Sequence, residues 1–319
     1  MDTIIIDGLS FALPLFIMAI GGIYCEKSGI TNLAIEGLQG FGAFFGALAV
    51  VLISNFAKAD LESLFFPAIL FAMLGGMFFS ILHAVLCINF KANQVISGVV
   101  INILSAALTS FLTSQINKNA FGAASDKFQL GVSKRFTIGG ISELPVIGAV
   151  FKNIYPFEIV ILVIAFFAWY VLYKTRYGLR LRACGDNPHS VDAAGASVSR
   201  IRFAAVMVSG ALSGLGGMCF AYSISANFSP NIYMGYGYLA IAALIFGNWK
   251  ILPALGACLL FGFAKSGGYR IVQLMKLPSA YSDLIMILPY VLTLLLLIFF
   301  SKTNRAPRAL GEIYDKGKR

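Results

Sequence analysis

A carboxylate and two amides recur at helical spacing within one apolar stretch near the start of the chain. Asn32, Glu36 and Gln39 are four and three residues apart, which places their side chains on one face of a helix. Polar groups inside a lipid-embedded helix must face the interior of a helix bundle or a wet cavity. The three residues could line a solute path or form a hydrogen-bonded clamp between helices, and the commonness of such clamps favours the second interpretation.

Neutral polar side chains recur in a later apolar stretch. Gln94 and Ser97 begin a stripe at helical spacing that continues through Ser105 and Thr109, with Asn102 nearby. These amides and hydroxyls could hydrogen-bond an uncharged polar solute, or they could hydrogen-bond a neighbouring helix. The stripe is therefore a second candidate for the lining of a solute path.

A third candidate region, residues 226–238, mixes aromatic rings with amides. Asn227, Phe228 and Tyr236 could stack against a ring-shaped solute and bond to its polar edge. Aromatic residues also gather where helices meet the membrane surface, so the same composition predicts an interfacial belt. The belt is the interpretation we favour for most residues of this segment.

Catalytic and metal-binding patterns do not occur in the sequence. It holds no phosphate-binding G-x-x-x-x-G-K-[ST] loop, no G-x-S-x-G and no H-E-x-x-H. Two histidines lie far apart, and five scattered cysteines never pair as C-x-x-C, so they are expected to be small buried apolar residues. We predict a protein that is not an enzyme and that itself binds neither metal nor cofactor.

Apolar stretches long enough to span a bilayer position these polar groups. The 319 residues are 59% hydrophobic and only 12% charged, about half the charged fraction of a soluble domain. We predict an all-α polytopic membrane protein with about nine (eight to ten) transmembrane helices. The predicted spans are 9–24, 30–54, 64–90, 93–115, 155–173, 203–223, 236–249, 251–268 and 280–300.

Basic residues cluster in two places and explain the net charge of +10 without nucleic acid. Basic loops mark the cytoplasmic side of a membrane protein. We therefore place a loop at about 174–202 and a basic tail at 301–319 in the cytoplasm. The long loop at about 116–154 then faces outward, and residues 1–300 form one transmembrane domain.

The cytoplasmic loop contains signals for a short capped helix. Asp186 or Asn187 can cap a helix that starts at Pro188, and Gly195 can end it in a left-handed conformation. Ala193 and Ala194 keep one side of this helix low in profile. It lacks the Leu, Phe and Trp of a lipid-bound helix, so we predict a knob that docks in a groove of another protein.

Segment 182–202 resembles the cytoplasmic coupling loop of ABC-transporter permeases in the branched-chain amino acid, ribose and nucleoside superfamily. The residues that fit the family spacing are Arg182, Ala183, Gly185, Asn187 and Gly195. The chain departs from the pattern at Ser190 and Val191, where relatives usually carry an alanine pair.

Two more segments resemble the simple-sugar and nucleoside branch of that superfamily. Segment 24–46 matches at Glu26, Ser28, Gly29, Asn32, Glu36 and Gly37, with Lys27 and Ala34 differing from the usual Arg and Gly. Segment 236–257 similarly looks like the family's Ile-Ala-x-Ala-Leu-x-Gly-x-Trp region. The resemblance covers nearly the whole chain.

The resemblance implies the membrane-spanning subunit of an ATP-driven importer in a prokaryotic inner membrane, for nucleosides or related simple sugars. It also implies a second homologous permease subunit, identical or not, and an extracytoplasmic solute-binding protein. Separate ATPase subunits would hold ATP and Mg²⁺ and dock on Arg182, Gly185, Asp186, Asn187, Pro188, Ala193, Ala194 and Gly195. The alternatives are an ion-coupled secondary transporter that uses Glu36, or a permease for another small polar solute such as a branched-chain amino acid.

Overall fold

Apolar helices account for most of the chain, as the hydrophobic stretches predict. A computed structural model describes residues 2–143, 147–231, 234–276, 278, 280–300 and 305–316. The helices are α1 (Asp2–Lys27), α2 (Ile35–Ala57), α3 (Phe65–Ala84), α4 (Gln94–Phe121), α5 (Pro156–Lys174), α6 (Arg176–Asp186), α7 (Pro188–Ala193), α8 (Val198–Ile224), α9 (Tyr236–Phe246), α10 (Ile251–Leu274) and α11 (Ala280–Phe300). Two short antiparallel strands, β1 (Phe128–Gln129) and β2 (Asn227–Phe228), pair with each other.

Seven helical segments in the described part of the chain are long and apolar enough to cross a membrane: α1, α2, α3 with its flanking turns, α4, α5, α8 and α10. Helix α11 also reaches a spanning length of 21 residues. Helix α9 has 11 residues, about 16 Å, which is half the hydrocarbon thickness. The prediction of an all-α multi-pass membrane protein is confirmed, and the seventh predicted span is a half-length helix.

Helices α1 and α8 form the centre of the bundle, and close backbone contacts join α8 to α2 and α3. A Cβ added to Gly42 would lie 2.3 Å from the Cα of Gly214, and one added to Gly76 would lie 2.2 Å from the carbonyl oxygen of Gly210. Glycines at these crossings therefore let helix backbones touch, which is how membrane helices gain packing contacts without a hydrophobic driving force.

The bundle has two distinct ends. Helix α8 starts beside α7 and extends 27 residues, about 40 Å, to Ile224. We call the end near its start the coupling end, formed by α6, α7, segment 28–34, the turn at 247–250 and segment 305–316. We call the opposite end the distal end, which holds the first turns of α1, the last turns of α10 and the strand pair.

Three parts of the fold were not anticipated. The predicted loop at 174–202 contains a second helix, α6, before α7. The β1–β2 pair joins the long loop to the segment after α8. Segment 305–316 forms no regular helix, yet Ala309 within it is buried at the coupling end.

Candidate functional site

Glu36 lies in the first turn of α2 and holds the start of α9. Its two carboxylate oxygens accept hydrogen bonds from the backbone N–H groups of Gly235 (2.5 Å) and Gly237 (2.7 Å), and Gln39 Nε2 donates to the same carboxylate at 3.0 Å. An anion at a helix N-terminus is stabilised by the free N–H groups and by the helix dipole. The structure thus gives Glu36 the contacts of a clamp between α2 and α9, and Gln39 supports its carboxylate from the same helix.

Asn102 ties α4 to the same cluster. Its Oδ1 accepts from the backbone N–H of Gly37 at 2.7 Å, and its Nδ2 donates to the carbonyl of Leu33 at 2.8 Å and the hydroxyl of Tyr238 at 2.9 Å. Ser105 adds a hydrogen bond to the carbonyl of Gly37 at 2.7 Å. Three helices, α2, α4 and α9, therefore meet at one polar cluster.

A cavity of about 230 Å³ borders this cluster. Its walls include Glu36, Asn102, Ser105, Thr109 and Tyr238, which mix acceptors and donors with apolar surface. A cavity with a few polar groups on apolar walls is the usual form of a small-molecule site. The clamp and the cavity lining are thus two properties of the same residues.

The remaining polar candidates of the first two stripes lie toward the coupling end. Asn32 Nδ2 donates to Ser209 Oγ at 2.7 Å, Gln94 Oε1 accepts from the N–H of Thr31 at 2.7 Å, and Ser97 Oγ is 2.8 Å from His83 Nδ1. All three side chains are buried. They fix segment 28–34 against α3, α4 and α8 and do not line the cavity at Glu36.

The aromatic segment separates into three environments. Asn227 pairs with Gln129 in the strand pair, and the buried ring of Phe228 packs 5.9 Å from that of Phe44. Tyr236 is buried, and its hydroxyl accepts a hydrogen bond from Lys265 Nζ at 2.6 Å beside a second cavity. Of these three predicted residues, Tyr236 lines a cavity.

The capped helix predicted in the coupling loop is present as α7. Asn187 is the N-cap, and its Oδ1 accepts from the N–H of Ser190 at 3.1 Å, while Pro188 occupies the first turn. Gly195 has φ of +78°, the left-handed conformation that the sequence predicts. On the exposed surface lie Asp186, Asn187, Ala193, Ala194 and Gly195, whereas Pro188 is buried.

Two predicted coupling residues face the bundle. A Cβ on Gly185 would lie 2.3 Å from the carbonyl oxygen of Lys27, and the carbonyl of Gly185 accepts from the N–H of Ala309 at 2.8 Å. Arg182 Nε donates to the carbonyl of Gly178 at 3.3 Å, and its guanidinium lies 5.6 Å from the centre of the Tyr173 ring. These two residues hold the α6–α7 unit in place, and the exposed residues of α7 form its surface.

Arg202 belongs to the basic loop that the sequence analysis places at about 174–202, but its side chain is buried at the coupling end. Its Nε donates to the carbonyl of Ser28 at 3.1 Å, and its Nη1 donates to that of Glu312 at 3.1 Å. Segment 305–316 also donates from Gly311 N–H to the carbonyl of Gly29 at 3.0 Å. Segment 305–316 is thus held against the rest of the coupling end.

The five cysteines are placed as the sequence analysis expects. All five cysteines are free and buried, as expected for small apolar residues. Burial raises the pKa of the Cys184 thiol in α6, so the thiol stays neutral and unreactive. No group of three or more His, Cys, Asp and Glu side chains that could hold a metal ion occurs in the described ranges.

Comparisons with known proteins agree with this architecture. The chain is 38% identical to the guanosine ABC transporter permease protein NupQ of Bacillus subtilis, covering 98% of this chain and 96% of that protein. It is 36% identical to the nucleoside ABC transporter permease protein NupC of Lactococcus lactis, over 100% of this chain and 98% of that protein.

A solved metal-chelate type ABC transporter in an inward-facing conformation has the same fold, with a TM-score of 0.51 at 17% identity over 93% of this chain and 85% of that one. The family model described as "Branched-chain amino acid transport system / permease component" matches residues 4–297. Because that match takes in all but the ends of the sequence, the chain belongs to the branched-chain amino acid transport system permease family.

Proposed function

We propose that this chain is the membrane-spanning permease subunit of an ATP-driven importer for nucleosides. The observation that carries the proposal is its full-length similarity to two permeases that are named for guanosine and for nucleosides. The cavity at Glu36 and Asn102 supports it, because its donors and acceptors suit a polar solute of low charge.

The proposal assigns ATP and Mg²⁺ to separate ATPase subunits that dock on α7. Its exposed residues are small or polar, so a groove can approach the helix backbone closely. A displacement of α7 would pass to α1 through Gly185. The Cα of Gly185 lies against the end of α1, and its carbonyl accepts a hydrogen bond from segment 305–316. Because these contacts join backbone to backbone, they transmit displacement with little side-chain slack.

The remaining partners follow from the same assignment. The coupling end would face the cytoplasm, with the C-terminus there, and the protein would lie in the inner membrane of a prokaryote. A second permease subunit, identical or homologous, would complete the transporter. A solute-binding protein would deliver the nucleoside to the distal end.

Transport driven by an ion gradient through Glu36 is the second candidate, because Glu36 is a carboxylate beside a cavity. Uptake of radiolabelled guanosine into inverted and right-side-out vesicles that contain the complete transporter separates the two. We expect uptake into right-side-out vesicles to stop with vanadate or ATP depletion and to continue with a protonophore. Uptake that survives ATP depletion and collapses with the protonophore would contradict the importer and favour the ion-coupled transporter.

The variant Glu36→Gln sharpens the same experiment. A glutamine places an N–H₂ group against one of the two backbone N–H donors of α9, so we expect the maximal rate of uptake to fall severalfold. Sensitivity to vanadate should remain as in the wild type. Complete loss of energy coupling with normal guanosine binding would instead give Glu36 the role of an ion site.

A further inference from the structure

A second cavity lies at the distal end, between α1, α8, α9 and α10. It encloses about 500 Å³, within the range of sites for small molecules. Asp7, Phe11, Ser223, Tyr236, Lys265 and Gln273 are among its lining residues. This cavity is separate from the one at Glu36, and none of its residues except Tyr236 was singled out as a binding residue from the sequence.

Lys265 brings a positive charge into this cavity from within α10. Its Nζ donates to the hydroxyl of Tyr236 at 2.6 Å and lies 3.8 Å from the centre of the Phe11 ring and 4.5 Å from that of Tyr236. Aromatic faces stabilise an ammonium group without neutralising it. Among the residues whose side chains are described, no carboxylate lies within 4.0 Å of this ammonium. A charge placed in this way inside a transmembrane helix indicates a functional site.

Asp7 gives the same cavity a negative charge. It is exposed on the first turns of α1 and makes no ion pair with any side chain that the structure describes. The cavity therefore presents a basic and an acidic side chain that form no ion pair with each other. The complementary ligand is neutral overall, with a hydrogen-bond acceptor toward Lys265 and polar donors elsewhere.

We propose that this cavity receives the base of the nucleoside and that Lys265 donates a hydrogen bond to a ring carbonyl. The ligand class is then the oxo-nucleosides, such as guanosine, inosine and uridine, whose bases carry a carbonyl oxygen beside an N–H donor. Adenosine and cytidine carry an amino group at the corresponding ring position. This inference rests on the proposed function and names the specificity-determining residue within it.

The position of Lys265 suits selection at the entrance. A smaller cavity of about 190 Å³ is lined by Phe11, Tyr236 and Lys265 as well, and it shares Met234 with the cavity at Glu36. The Lys265–Tyr236 pair thus lies between the distal cavity and the cavity at Glu36. Lys265 would therefore select the base by hydrogen bonding before the nucleoside reached the cavity at Glu36.

The test measures selectivity in vesicles that contain the complete transporter. We determine KM for guanosine and uridine, and inhibition constants for adenosine and cytidine against them, in the wild type and in Lys265→Met, Tyr236→Phe and Lys118→Met. Lys118 is an exposed lysine in the last turn of α4 at the same end of the bundle and serves as the matched control.

In Lys265→Met we expect KM for guanosine and uridine to rise about tenfold, because a hydrogen bond from a charged donor is lost. Inhibition constants for adenosine and cytidine should stay within about twofold, and Lys118→Met should match the wild type. Tyr236→Phe keeps the ring but frees the ammonium, so a shift of about threefold in the same direction is expected. If Lys265→Met does not accumulate in the membrane, Tyr236→Phe tests the role of Lys265 in its place.

An unchanged preference in the variants, or an equal loss for all four nucleosides, would overturn the role of Lys265 and leave the proposed function standing. A wild-type transporter that neither takes up nor binds any of the four nucleosides would overturn the proposed function itself, and the inference with it. The two failures are therefore distinguishable.

Discussion

At the coupling end Gly185 has no room for one added carbon, whereas at the distal end the cavity beside Lys265 encloses about 500 Å³. The first region joins backbone to backbone through α6, the end of α1 and segment 305–316. The second surrounds open space with side chains from four helices. One bundle thus contains a region without slack and a region with room for a ligand.

The contrast follows from what each end has to do in an ATP-driven permease. Close-packed contacts transmit displacement because they cannot be compressed, and in the proposed transporter a docked ATPase would move whole helices through α7. A solute needs an unfilled volume with a few polar groups, and that volume weakens local packing. The same chain therefore places the tight contact at Gly185 and the cavity beside Lys265 at opposite ends.

The variant Gly185→Val is the strongest test of whether the coupling end is rigid. The new side chain would meet the carbonyl of Lys27, where a Cβ alone lies 2.3 Å from the oxygen, so α6 must move away from α1. Overpacking of this kind costs about 3 kcal/mol. We expect a lower thermal denaturation midpoint in detergent and ATP-driven uptake at background.

Gly256→Ala is the matched control, because a Cβ at Gly256 in α10 meets no atom within 4 Å. Alanine in a helix interior is favoured over glycine by about 1 kcal/mol, so stability should stay the same or rise. Normal uptake in Gly185→Val, or equal damage in the two variants, would show that the coupling end has slack.

A smaller effect is expected when segment 305–316 is released. Arg202→Met removes the hydrogen bonds to Ser28 and Glu312 and leaves their carbonyls without this donor, at a cost of about 2 kcal/mol. We expect faster proteolysis of a C-terminal tag and a severalfold loss of uptake. Arg200→Met, an exposed change on the same helix, should alter neither. Undiminished protection of the tag in Arg202→Met would show that Arg202 does not hold segment 305–316 at the coupling end.

The sequence predicts the parts of the molecule that are determined locally. Most of the spans follow from hydrophobicity alone, although α9 is only half the length of a span. Helix α7 follows from a cap, a proline and a left-handed glycine within ten residues of one another. The polar stripe at Glu36 is also visible, because a helix fixes the relative positions of residues three and four apart. Its partners are not visible, since Gly235 is 199 residues away in the sequence.

The contacts that the sequence does not predict join distant residues. Arg202 reaches Glu312 over 110 residues, and a basic residue beside a span is expected to face water or lipid headgroups. The role of segment 305–316 is equally hidden, because its composition is that of a solvated tail. Lys265 could have been found, since a lysine inside an apolar stretch is itself a signal of function.

The smallest effect is expected at α7, on the surface of the coupling end. Asn187→Ala removes the cap of α7, at a cost of about 1 kcal/mol. A helix of six residues depends on its cap far more than a long packed helix does, so the N–H groups of α7 should exchange with solvent faster.

The matched control is Asn93→Ala, which removes an equivalent cap from the 28-residue α4, whose N–H donors are those of Val95 and Ile96. Both variants lose an N-cap side chain that accepts hydrogen bonds from backbone N–H groups. Only Asn187→Ala alters the surface that is proposed to meet the ATPase. We expect weaker co-purification of the ATPase subunits with Asn187→Ala and unchanged co-purification with Asn93→Ala. Equal losses in both would mean that the whole coupling end, and not α7 in particular, determines docking.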